Sequence, residues 1–87
     1  MTIRKAYQNL NLEDYPTTVK MNNPMFDIDF YNGIRTDETQ FTILGLVEKK
    51  AIIKELTLLF KAFCKDNGYR TNSVESITYV GSDPYYD

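Results

Sequence analysis

Asp27 and Asp29 stand two residues apart in Met25–Tyr31, where Phe26, Ile28 and Phe30 alternate with them. The period-two geometry of a strand puts both carboxylates and Tyr31 on one face and the three apolar side chains on the other. Asp37 and Glu38 follow shortly after, close enough in the chain to join the same cluster. Grouped carboxylates have three chemical uses. They bind Mg²⁺ or Ca²⁺. They act as an acid/base pair when burial drives their pKa values apart. They imitate a row of nucleic-acid phosphates and occupy a basic groove on a partner. Against these stands the ordinary outward face of a half-buried strand. The segment lacks the Asp/Asn spacing, central Gly and closing Glu of an EF-hand loop.

A second charged set has the opposite sign. On a helix advancing about 100° per residue, Lys50, Lys54, Lys61 and Lys65 fall within roughly 60° of one another, with Leu58 beside them. Such a strip suits phosphates or an acidic partner; the plain alternative is a solvated outer face. The charge is segregated along the chain. Residues 21–46 hold Asp27, Asp29, Asp37 and Glu38 against Arg35, and residues 71–87 hold Glu75, Asp83 and Asp87 with no base. Residues 47–70 carry Lys49, Lys50, Lys54, Lys61, Lys65 and Arg70 against Glu48, Glu55 and Asp66. The net charge of −2 averages two acidic regions and one basic helix.

Other chemistry is limited by what is missing. With no histidine among 87 residues, a Ser-His-Asp triad, a Cys-His pair, the usual near-neutral proton shuttle and imidazole-based zinc sites are all excluded. Cys64, the single cysteine, can form neither an internal disulfide nor an all-cysteine zinc site. It reads as a small buried hydrophobe, and a lone thiol fits a reducing compartment. Gly33, Gly45, Gly68 and Gly81 are scattered and form no phosphate-cradling loop. Seven tyrosines suit a contact surface, since Tyr supplies area at low entropy cost, although half-buried strands use Tyr too.

The elements that must position these groups are legible in outline. Ile3, Ala6, Tyr7 and Leu10 mark one face of a short helix with Thr2 as N-cap, ended by Asn11, Asp14 and Pro16. Residues 17–21 form a short strand closed by Asn22-Asn23-Pro24. Met25–Tyr31 is the half-buried strand, followed by the Asn32-Gly33 turn signal. A two-residue turn would oppose Ile28 to Asp37 and Asp27 to Glu38, which like-charge repulsion disfavours, so a longer, irregular loop through Asp37-Glu38 is expected. The return strand is then Thr39–Leu46, with Phe41 and Ile43 inward. Val47–Asn67 is a long helix whose apolar face is Ile52, Ile53, Leu56, Leu59, Phe60, Phe63 and Cys64, started by Gly45 and stopped by Asn67-Gly68. Val74–Val80 is a strand whose inward face the alternation leaves open. Gly81-Ser82-Asp83-Pro84 turns it out, and residues 82–87 are expected as a flexible tail.

The expected fold is one α+β domain over residues 1–87. A small, mostly antiparallel sheet of three to four strands carries the long amphipathic helix on one face, with a short N-terminal helix. The opening residues have no apolar run of a signal peptide, and Ala51–Cys64 is too short and charged to span a membrane. The functional expectation is a small cytoplasmic, non-catalytic binding protein without cofactor or metal. It would occlude a basic or mixed surface of a larger protein through Asp27, Asp29, Tyr31, Asp37, Glu38, Tyr85 and Tyr86. Small acidic α+β chains among phage and mobile-element products that inhibit host enzymes or defence nucleases are the analogy at the level of class. The alternative is a nucleic-acid-binding domain using Lys50, Lys54, Lys61 and Lys65. The strand near the C-terminus, as a sheet edge, leaves pairing across a two-fold axis open.

Overall fold

A computed structural model of the chain describes residues 1–10, 12, 18–70 and 73–86. Asn11, Asp14 and Pro16, expected to end the first helix, lie outside them, as do Thr17 and Asp87. The elements in order are α1 (Ile3–Tyr7), β1 (Lys20–Asn22), β2 (Pro24–Tyr31), β3 (Thr36–Thr42), β4 (Leu46–Glu48), a 3₁₀ turn (Lys49–Ala51), α2 (Ile52–Asn67) and β5 (Ser73–Ser82). The fold is α+β, as the patterning predicts.

The sheet is built on one long, bent hairpin. β2 and β3 pair antiparallel around Asn32–Arg35, with Phe26 opposite Phe41 and Tyr31 opposite Thr36. Below them the same two arms pair again as β1 and β4, with Met21 opposite Val47. The bend falls where both arms take positive φ, Asn23 at 44° and Gly45 at 100°. Asn23 N–H donates to the Gly45 carbonyl at 2.8 Å, and the Asn23 Oδ1 accepts from Gly45 N–H at 2.7 Å. Gly45 therefore serves the bend; it does not start the helix. β5 pairs antiparallel with the other edge of β2, giving the order β3-β2-β5.

Several expected boundaries move. The first strand covers Lys20–Asn22, against the expected residues 17–21. β3 begins at Thr36 and ends at Thr42, so Asp37 and Glu38 lie inside the strand and the loop has only four residues, Asn32–Arg35. The turn is fixed locally: Asn32 Oδ1 accepts from the N–H groups of Ile34 at 2.9 Å and Arg35 at 3.1 Å. α2 starts at Ile52, because Leu46–Glu48 is taken up by pairing with β1 and Lys49–Ala51 forms a 3₁₀ turn. β5 extends through Ser82, past the expected turn.

The core lies between the inner face of the sheet and α2. Phe26, Ile28 and Phe30 of β2 are buried, as are Ile52, Leu56, Phe60 and Cys64 of α2. The ring of Phe30 meets Phe60 edge-on at 5.4 Å and Phe63 at 5.7 Å, and Phe41 of β3 meets Phe63 at 5.7 Å. β5 settles its inward face through a register shift. Phe30 opposes Val74 and Asp29 opposes Ser76, so Glu75 is the extra residue of a bulge. Val74 and Ile77, out of phase in simple alternation, both point inward as a result and are buried. α1 packs against the start of β5 and against α2. Thr2 caps it as predicted, its Oγ1 accepting from Lys5 N–H. Gly68, in the left-handed conformation at φ 70°, closes α2 by donating to the Cys64 and Lys65 carbonyls.

Candidate functional site

The outer face of the three-stranded sheet is built in rows set by the register. Gln40, Asp27 and Thr78 form one row; Glu38, Asp29 and Ser76 the next; Thr36, Tyr31 and Ser73 the last. Directly paired residues share a face, so Asp27, Asp29 and Glu38 stand together on the side away from α2. Glu75 joins them. Its Oε1 accepts from the Thr36 hydroxyl at 2.9 Å, a bond that reaches across β2 from one edge strand to the other. The sequence pattern alone does not bring Glu75 to Asp29, since only the β2–β5 pairing and its bulge place it there.

Three of the four carboxylates on this face are held by neutral donors. Gln40 Nε2 donates to Asp27 Oδ1 at 2.7 Å, and the Ser76 hydroxyl donates to Asp29 Oδ2 at 2.9 Å. Among the described residues, the ion pairs are Arg35–Asp37 and Lys50–Glu48, so no cation neutralises Asp27, Asp29, Glu38 or Glu75. Glu38 and Glu75 are exposed and Asp27 and Asp29 half-buried. The face thus presents four carboxylates, three of them, Asp27, Asp29 and Glu75, oriented by hydrogen bonds from neutral donors.

Asp37 does not belong to this group. It opposes Phe30 and so lies on the inner side of the sheet, at its open end. There it accepts from Asn32 Nδ2 at 2.9 Å and pairs with Arg35 at 3.5 Å, which makes it part of the hairpin turn. Tyr31 closes the acidic face at the same end, 43% exposed, with its hydroxyl on the Gly33 carbonyl at 3.2 Å. Tyr85 and Tyr86 lie at the opposite end, beyond Ser82. There Asn23 Nδ2 donates to the Tyr86 carbonyl and Asp83 N–H donates to the Asn23 carbonyl. The predicted contact residues therefore divide among a central acidic face, a hairpin and a far corner.

The lysine strip also divides. Lys54, Lys61 and Lys65 are exposed on α2. Lys50 precedes the helix in the 3₁₀ turn and is paired with Glu48 at 3.2 Å, so it does not continue the row. Between α1 and α2 lies a groove of about 500 Å³, and near β4 a second, shallow depression is lined by Lys20, Leu44, Leu46 and Glu55.

Chemically, the outer face offers charge and hydrogen-bond acceptors on a flat surface. No three of its acids, nor any other three His, Cys, Asp or Glu among the described residues, are grouped to hold a metal ion. Cys64 is a free, buried thiol, and burial pushes its pKa up, away from the reactive thiolate. No described helix is long and apolar enough to cross a membrane. No family model, curated protein or solved structure matches the chain.

Proposed function

We propose that the protein is a non-catalytic binding module that docks the acidic face of its sheet on a basic surface of a larger protein. The observation that carries this reading is the row structure of that face: Asp27, Asp29, Glu38 and Glu75 share it, no cation among the described residues pairs with them, and no helix covers it. A surface built for solubility alone is best served by both signs of charge interspersed. One with a single sign and fixed carboxylates steers and orients a partner of opposite sign. Strands spaced about 4.8 Å apart, with same-face residues about 6.8 Å apart along them, repeat negative charge on the scale of a phosphate backbone. The partner by this reading is a basic, phosphate-binding groove, and the effect is occlusion, as for a phage or mobile-element inhibitor of a host nuclease.

The test uses the whole chain as bait for cell proteins, beside an isosteric neutral variant, Asp27→Asn, Asp29→Asn, Glu38→Gln and Glu75→Gln. The expected partner is retained by the wild type, displaced by added DNA, and bound at least about tenfold more weakly by the neutral variant, the effect of losing about 1.4 kcal/mol of charge pairing. Capture indifferent to the neutral variant would defeat the proposal. A low-salt mobility shift with DNA or RNA, lost in a Lys54→Glu, Lys61→Glu, Lys65→Glu variant, would instead favour the nucleic-acid reading.

A further inference from the structure

The groove between α1 and α2 lies on the other side of the molecule from the acidic face. Ile3, Phe60 and Val74 line it from the core, and Leu58, 55% exposed, stands on its wall. Arg4, Lys54 and Lys61 border it, and none of them forms an ion pair among the described residues. Its hydroxyls are partly engaged: Thr2 Oγ1 accepts from Lys5 N–H, and Thr57 Oγ1 donates to the Ile53 carbonyl at 2.6 Å. What dominates for recognition is apolar surface and positive charge. Lys54 and Lys61 are about 10 Å apart along the helix axis, with Leu58 between them. A segment with aromatic side chains at its centre and carboxylates to either side matches all of them.

The chain carries such a segment. Asp83-Pro84-Tyr85-Tyr86-Asp87 places two aromatics between two acids. The Tyr85 and Tyr86 rings meet edge-on at 4.9 Å and are 84% and 49% exposed. They are held in place from below: Asp83 N–H donates to the Asn23 carbonyl, Asn23 Nδ2 to the Tyr86 carbonyl, and the half-buried Asp83 carboxylate accepts from Tyr85 N–H and the Thr42 hydroxyl, neutral donors that leave its charge unpaired. We infer that this aromatic corner of one copy seats in the cationic groove of a second copy. Groove and corner stand at opposite ends of β5, at Val74 and beyond Ser82, about 27 Å apart along a strand, so the chain cannot fill its own groove. The contact is head-to-tail and leaves each pair with one free groove and one free corner, which builds chains or a ring. It uses neither Asp27, Asp29, Glu38 nor Glu75, and so stands or falls separately from the docking function above.

Sedimentation velocity tests it. The wild-type chain is expected to sediment faster as concentration rises, and the effect to weaken with salt. Lys54→Glu with Lys61→Glu, and separately Tyr85→Ala with Tyr86→Ala, should each weaken self-association about tenfold or more. All four side chains are exposed, and circular dichroism checks that both variants fold. An equimolar mixture of the two variants should form pairs and nothing larger, since each supplies one intact half. In isotope-labelled wild type, a synthetic peptide of residues 81–87 should shift the resonances of Arg4, Lys54, Leu58 and Lys61. A wild type that stays monomeric at all concentrations, association that survives in both variants, or peptide shifts confined to other residues would each overturn the inference.

Discussion

Asn23 is buried, holds φ 44° and joins three segments through one residue. Its Oδ1 accepts from Gly45 N–H, its Nδ2 donates to the Tyr86 carbonyl, and its backbone binds both Gly45 and Asp83. Asn tolerates the left-handed region better than other residues with a Cβ, and its amide both donates and accepts. Asn23→Ala should therefore destabilise the protein by about 2–4 kcal/mol, from strain of about 1 kcal/mol and a stranded Gly45 N–H. Asn23→Gly relieves the strain and should cost about 1 kcal/mol less than the alanine variant. Urea unfolding measures both, and a glycine variant less stable than the alanine one would remove strain from the explanation. Asn23→Asp keeps the acceptor for Gly45 but loses the donor to Tyr86, so amide exchange of Asp83 should speed up while the rest of the sheet holds. At this scale the sequence is informative about Asn22-Asn23-Pro24 as a break between strands. It is silent about the tail that the break holds, because that tail lies 63 residues away from Asn23.

At the level of elements, legibility follows the range of the interactions. The body of α2 and its stop at Gly68 are local: a 3.6-residue apolar period and one left-handed glycine. Its start is not local, since Leu46–Glu48 are drawn into a strand by Lys20–Asn22, far back in the chain. The inward face of β5 is hidden by the Glu75 bulge, which changes the phase between Val74 and Ile77. The hairpin is the most instructive. The two-residue turn is absent, but like-charge repulsion is not what excludes it, because the observed register sets Asp29 directly against Glu38. Pairing of Phe26 with Phe41 over the core, together with the Asn32 turn, outweighs a repulsion of less than about 1 kcal/mol. That repulsion gives a test with two opposite signs. Glu38→Lys should raise stability by about 0.5 kcal/mol by pairing with Asp29, and should weaken docking to a basic partner. Calorimetry reads the first and the capture assay the second. A stabilised variant that docks unchanged would mean that the face is merely polar.

For the molecule as a whole, two layers put the charge on opposite sides. The sheet bears carboxylates outward, α2 bears Lys54, Lys61 and Lys65 outward, and the shortest dimension is only 17 Å. The titratable groups with clear burial shifts lie between or beside these layers: the Cys64 thiol of α2 and the Tyr7 phenol of α1, whose Oη donates to the Lys49 carbonyl at 3.3 Å. Desolvation by burial raises both pKa values, so the folded chain holds these protons more tightly than the unfolded one. Their contribution to stability is complete below the unfolded thiol's range, about pH 8.5. Above it the unfolded chain binds fewer protons than the folded chain, and stability falls with rising pH, beginning at the unfolded thiol's range for Cys64 and at the unfolded phenol's, about pH 10, for Tyr7. Urea midpoints measured from about pH 7 to pH 11 should therefore decline on the alkaline side. Cys64→Ala should flatten the first part of the decline and Tyr7→Phe the later part, whatever each does to absolute stability. If the alkaline slopes of both variants match the wild type, these two groups are not what couples the fold to pH.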